Sequence, residues 1–176
     1  MQAYFIRHGE TNYNLLDLCN DDPKKDVHLT ELGKEQADII AETLKDIDID
    51  LVFISELPRT KETADIITKN HDVQFRIDPR INDRKTGFDS RPVPDFFNAL
   101  KPDMFNLKFN DGESFQEEKK RVFSFLEELK QLKHKTILIV THSEILQIIN
   151  GYFNNLSDKD MWEIKIDNCQ VLDFEI

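Results

Sequence analysis

Three short apolar runs, Ala3 to Ile6, Leu51 to Ile54 and Thr136 to Val140, are rich in β-branched and aromatic residues and stop abruptly at polar ones. Runs of this length without polar alternation predict strands buried on both faces of a sheet. Between them the apolar positions recur with a helical period, predicting helices over Thr30 to about Leu44, about Pro58 to Lys69 and Ser114 to about Leu132. Strands that alternate with helices define an α/β fold, a three-layer α/β/α sandwich around a mostly parallel central sheet.

Two helix starts are marked chemically. Ser114 and Glu117 form an S-x-x-E capping box ahead of Phe115, Val122, Leu126 and Leu129, and Pro58 suits a first helical position. Val73 to Ile77 and Gln170 to Ile176 read as further strands, the second with the alternation of an edge strand. From Asp78 to Asp111 the periodicity lapses around Pro79, Pro92, Pro94 and Pro102, which predicts a long excursion with at most short helices. Such excursions commonly carry specificity or a lid. No repeat or linker divides the chain, so residues 1–176 are expected to form a single domain.

Composition narrows the functional classes. A net charge of -11 disfavours nucleic acid, and no dense run of lysine and arginine offers a groove for it. Cys19 and Cys169 have neither CxxC nor Cys/His spacing, so no disulfide framework or zinc site is expected. The amino terminus has only a short apolar run, which predicts neither a signal peptide nor a membrane span. These features point to the cytoplasm and to no membrane partner; they carry no signal of oligomeric state.

The chemistry lies where the predicted strands end, the position at which ligands gather in open α/β sheets. Ala3 to Ile6 runs into Arg7-His8-Gly9-Glu10-Thr11, Leu51 to Ile54 into Ser55 and then Arg59, and Thr136 to Val140 into Thr141-His142-Ser143. Two histidines and two arginines on one rim suit phosphoryl transfer, which needs a nucleophile, donors for the equatorial oxygens and an acid for the leaving oxygen. A neutral imidazole can attack through one nitrogen while a backbone carbonyl holds the other, and His8, between a strand and Gly9, suits that role. Arg7 and Arg59 match phosphate with planar forks of donors, and His142 adds another. Ser143 is expected to cap a helix beginning at Glu144. Neither metal nor organic cofactor is expected, because these groups supply the positive charge themselves.

Arg7-His8-Gly9-Glu10-Thr11-Asn12-Tyr13-Asn14 resembles the signature of the histidine phosphatase superfamily, which includes cofactor-dependent phosphoglycerate mutases. Ser55-Glu56-Leu57-Pro58-Arg59-Thr60-Lys61-Glu62-Thr63-Ala64 is similar to its second motif. Asp111-Gly112-Glu113-Ser114 resembles a segment before its long helix, and Thr141-His142 its second histidine. Leu29-Thr30-Glu31-Leu32-Gly33 with Gln36-Ala37 resembles its first helix. The resemblance implies a phosphoglycerate mutase-like fold, His8 as the phosphorylated nucleophile, and a phosphate pocket of Arg7, Arg59 and His142 with Asn14 as a further contact.

The family commonly draws its proton donor, a glutamate, from a segment that Arg80-Ile81-Asn82-Asp83-Arg84 resembles. Here Asp83 stands in that place, one methylene shorter, with Glu144 as the alternative acid. Ser143 replaces a common glycine after the histidine and either caps the helix or narrows the pocket. Thr11 is a candidate for substrate contact or loop orientation, and Arg84, Lys85 and Arg91 for an anionic substrate tail or for the surface. Phe96, Phe97, Phe105, Phe109 and Phe115 are expected in the core rather than over the site. His28, His71 and His134 are expected to have no catalytic role.

The leading expectation is a phosphomonoester hydrolase for a small phosphorylated substrate, a phosphoprotein being compatible. The runner-up is a phosphoglycerate mutase-like phosphotransferase; dedicated mutases of the family tend to be longer. A third reading is a phospho-ligand-binding module without turnover.

Overall fold

The computed structural model describes residues Met1–Ile176. Its five strands are β1 (Gln2–Arg7), β2 (Leu51–Ile54), β3 (Gln74–Ile77), β4 (Thr136–Thr141) and β5 (Val171–Glu175). They form one sheet in the order β3-β2-β4-β1-β5. All neighbours are parallel except β5, which runs antiparallel to β1 and closes one edge. Both edge strands are the polar, part-exposed ones, as the alternation in Gln170 to Ile176 predicts.

Seven helices follow in chain order: α1 (Asn12–Leu16), α2 (Glu31–Leu44), α3 (Pro58–Ile67), α4 (Val93–Leu100), α5 (Phe115–Leu129), α6 (Ser143–Asn154) and α7 (Asp158–Glu163). Successive strand residues point to opposite faces, so each central strand feeds two cores. Ala3, Phe5, Leu51, Phe53, Ile137 and Ile139 pack on one side against α5 and α6. Ile6, Val52, Ile54, Leu138 and Val140 pack on the other against α2 and α3. These are the two interfaces of the three-layer sandwich, and they explain why the central runs show no polar alternation.

Ser114 and Glu117 make the reciprocal capping box, worth about 1 kcal/mol, and Pro58 opens α3. Short α1 and α7 carry too few periodic positions to stand out in the sequence. The excursion from Asp78 contains a 3-10 turn at Pro79–Ile81 and then α4. Phe88, Phe96, Leu100 and Cys19 form a small third apolar cluster that seats this segment above the ends of the strands. No helix is long and apolar enough to cross a membrane.

Candidate active site

Parallel pairing of β1 with β4 sets Arg7 opposite Thr141 and delivers His8 and His142 side by side just past the strand ends. Their ring centres lie 5.3 Å apart, and both side chains are buried. A main-chain bond from the His8 N–H to the Thr141 carbonyl, 2.9 Å, locks the two loops together. Gly9 then crosses the start of α2, where a β-carbon on it would lie 2.4 Å from the Gly33 carbonyl oxygen. The glycine is needed for this close approach, which holds His8 in place, rather than for flexibility.

The His8 tautomer follows from its partners. Nδ1 lies 2.7 Å from the Gly9 carbonyl, which can only accept, so Nδ1 carries the proton. Nε2 is left with its lone pair and receives a hydrogen bond from Arg59 Nε at 3.2 Å. Burial foremost, then the charges of Arg59, His142 and Arg7, hold His8 well below the usual histidine range. Burial foremost, then Arg59, Arg121 and Arg7, lower His142 in the same way. Both rings are therefore neutral near pH 7, and His8 presents an unprotonated nitrogen to the cleft.

Arg59 lies in the first turn of α3 with its side chain buried, and its donors fan over the site. Nη1 donates to Asn20 Oδ1 at 2.6 Å, and Nη2 donates to Asp83 Oδ2 at 3.0 Å. Arg7 Nη1 donates to the Ile166 carbonyl at 2.7 Å, while its Nε is buried without a protein partner. His142 Nδ1 is likewise buried and unpartnered, 3.6 Å from Asp83 Oδ2. Buried donors without acceptors cost stability unless a ligand satisfies them. An oxyanion between the two rings would do so.

Asp83 reaches the cations despite its short side chain, because the 3-10 turn brings its backbone close; the Thr141 hydroxyl donates to the Ile81 carbonyl at 2.7 Å. Glu144 also lines the cleft but pairs with Arg84 rather than Arg59: its Oε1 lies 2.9 Å from Arg84 Nη2. Of the two candidate acids, Asp83 is the one that touches Arg59.

Several expectations need correction. Ser143 does not cap α6; His142 holds the N-cap position without a side-chain bond, and Ser143 is the first helical residue, lining the cleft. Thr11 and Asn14 form a reciprocal capping box on α1, so Asn14 Oδ1 is committed to the Thr11 N–H and only its Nδ2 is left for a ligand. Arg84 is not a surface residue: it borders the cleft, its side chain is 0% exposed and it lies between the rings of Phe96 and Trp162, 4.9 and 5.3 Å away. Phe96 and Phe97 line the cleft, whereas Phe105, Phe109 and Phe115 pack in the cores as expected. Arg91 and Lys85 point to solvent, as does His28.

Two other contributors, Asn20 and Asn168, carry no warning in the sequence. Asn20 holds Arg59, and Asn168 Nδ2 donates to the His8 carbonyl at 3.0 Å from a loop 160 residues away. Ser55 Oγ lies 2.9 Å from His142 Nε2, so it orients the second histidine; its place in the motif around Arg59 is the signal that could have found it. Burial pushes the Cys19 thiol, in the cleft wall, up to about 11, which keeps it protonated.

A mostly parallel α/β sheet whose strand ends gather two neutral imidazoles, one buried and one part-buried guanidinium and an adjacent carboxylate suits phosphoryl transfer. The family model of the histidine phosphatase superfamily (branch 1) matches residues 3–176, and the chain belongs to that superfamily. It is 28% identical to the adenosylcobalamin/alpha-ribazole phosphatase of Escherichia coli strain K12, covering 95% of this chain and 86% of that one. It is also 28% identical to the probable phosphoglycerate mutase of Erwinia tasmaniensis, over 97% of this chain and 83% of the other. The crystal structure of the alpha-ribazole phosphatase from Shigella flexneri superposes with a TM-score of 0.91 at 29% identity, over 100% of this chain and 91% of that one. Phosphatase activity of the histidine phosphatase type is the function that the family and these relatives support.

Proposed function

We propose that residues 1–176 act as one histidine phosphatase domain that hydrolyses a small phosphate monoester through a phosphohistidine on His8. The observation that carries this reading is the unprotonated Nε2 of His8, held by Arg59, in a site that also contains buried, unpartnered nitrogens of Arg7 and His142. His8 Nε2 attacks phosphorus in line as the bond to the leaving oxygen breaks. Arg7, Arg59 and His142 stabilise the charge on the equatorial oxygens, and the Asn14 amide is placed to add a contact. The incoming phosphate takes over the Arg59 donors now shared by Asp83 and Asn20. Asp83 protonates the leaving oxygen and then, as carboxylate, takes a proton from the water that releases phosphate from His8.

Ser143 and Thr11 line the site, and the Thr11 hydroxyl accepts from the Asn14 N–H, which positions the Asn14 side chain. A small-molecule substrate and a cytoplasmic setting fit the net charge of -11 and the two free, buried cysteines. Neither nucleic acid nor membrane is proposed as a partner.

The intermediate is directly testable. Quenching during turnover without acid should trap a phosphoramidate stable to alkali and labile to acid, mapped by mass spectrometry to His8 and not to His142. His8→Ala should abolish label and turnover together. A label on His142 would reverse the two roles, and sustained turnover by His8→Ala would sink the covalent mechanism.

A further inference from the structure

Beside the phosphate end, the cleft, about 160 Å³ in all, continues between α4 and the start of α6 and is partly open to solvent. Its walls differ sharply in chemistry from the phosphate end. Val93, Phe96 and Phe97 from α4 form an apolar side, joined across the opening by Leu18 and Val27. Phe97 keeps 45% of its surface exposed at the rim of this space, where it continues the apolar side formed by Val93 and Phe96.

Apart from Arg7 and Arg59, which belong to the phosphate, Arg84 is the one arginine or lysine lining this cleft. Its charge is already matched. Glu144 Oε1 lies 2.9 Å from Nη2, and Glu118 Oε2 lies 3.8 Å from Nε on the buried side. Arg121, the next cation, is itself shared between Glu118 and Glu113. Burial pushes Glu118 well up and Glu144 up to a lesser degree, so with Glu118 protonated the two arginines still stand against the charges of Glu113 and Glu144, and no positive charge is left over for a second anion. Glu144 and Asp83 both present carboxylates to the leaving-group side, with Glu144 17% exposed.

We propose that this part of the cleft selects phosphate monoesters whose alcohol carries an aromatic ring and no second anionic group. The ring packs against Val93 and Phe97, and Glu144, by cancelling Arg84, turns away carboxylate-bearing phosphates. This assignment deepens the hydrolase reading and rests on it. It also separates the chain from a phosphoglycerate-type activity, in which a carboxylate must be held a few ångströms from the phosphate.

The test compares phosphate release from three alkyl monoesters by the full-length protein. Glycerol 3-phosphate and 3-phosphoglycerate differ only in a hydroxymethyl group replaced by carboxylate, and benzyl phosphate adds the ring on a leaving alcohol that is equally dependent on protonation. Expected kcat/KM falls about tenfold from benzyl phosphate to glycerol 3-phosphate, the scale of one aromatic contact. It falls about tenfold again to 3-phosphoglycerate, the scale of one carboxylate facing another in a partly solvated cleft.

Glu144→Gln should uncover Arg84 and raise the ratio of 3-phosphoglycerate to glycerol 3-phosphate by about tenfold, a ratio that a general loss of activity does not move. Phe97→Ala, at an exposed position that folding tolerates, should lower the ratio of benzyl to glycerol phosphate severalfold. Equal use of all three esters, preference for 3-phosphoglycerate, or ratios unmoved in both variants would overturn the substrate assignment and leave the hydrolase reading standing. No phosphate release from any ester would overturn the hydrolase reading and the assignment with it.

Discussion

The two ends of the cleft are built on different principles. At the phosphate end, His8 and His142 leave the ends of adjacent parallel strands, and Arg59 leaves the first turn of a helix that follows a third strand. Each of these side chains is buried and held by at least one hydrogen bond, whether to Gly9, Ser55, Asn20 or Asp83. At the leaving-group end, Asp83, Val93, Phe96 and Phe97 come from the excursion between β3 and α5, where the only regular pieces are a 3-10 turn and one short helix. Asp83 is 32% exposed there, against 4% for the Arg59 side chain that it contacts. On the proposed reading, chemistry shared by every substrate sits on rigid elements, and recognition of the variable alcohol sits on loops.

This contrast can be broken most forcefully at Asp83, where the two ends meet. Asp83→Asn should slow alkyl phosphates by about 10²- to 10⁴-fold, the usual range for general-acid help. Aryl phosphates, whose leaving oxygen needs little protonation, should lose far less. Steady-state kinetics on the two classes of ester checks the difference. Equal losses on both would make Asp83 a binding or structural residue and return Glu144 as the candidate acid.

A second substitution probes the geometric demand of the phosphate end. Arg59→Lys keeps the charge but cannot offer parallel donors to two oxygens, so kcat/KM should fall about 10²-fold for every ester alike. The uniformity matters as much as the size. A folded Arg59→Lys enzyme with near wild-type kcat/KM would remove Arg59 from the phosphate pocket, and a loss confined to one ester would move it to the leaving-group end.

The smallest expected effect concerns protons. Burial and the neighbouring arginines hold His8 and His142 well below the usual histidine range, whereas unfolded histidines take up protons near pH 6.5. Below that pH the unfolded chain binds more protons than the folded one. The stability these two residues supply is therefore complete above about pH 6.5 and is lost as pH falls. In thermal melts the free protein should lose Tm between pH 7 and 5.5, at about 2–4 °C for each kcal/mol, and the loss should shrink in His8→Gln. Imidazole NMR signals of both residues should stay unmoved from pH 8 to 6; a midpoint at or above 6.5 for either would refute the neutral, preorganised pair.

Much of this architecture was legible beforehand, and the reasons are physical. Parallel strands buried on both faces must be apolar throughout, so Leu51–Ile54 and Thr136–Thr141 announced themselves, and the carboxyl ends of such strands pointed to His8, Arg59 and His142. The S-x-x-E box at Ser114 located α5 because capping is local chemistry among residues close in sequence. Ser143 misled for the related reason that a cap is set by backbone angles, and the turn placed His142 at that position instead.

Residue type and order along the chain were enough to determine an α/β sandwich that gathers two histidines and two arginines at its strand ends, because strand burial restricts which residues can serve and where the polar ones must begin. Tertiary structure alone decided that Asp83 reaches Arg59, that Asn168 braces His8, and that Arg84 is locked between Phe96, Trp162 and two glutamates. Those facts depend on distances between segments far apart in the chain. Whether a charge is free or cancelled is settled by which opposite charge the fold brings within a few ångströms.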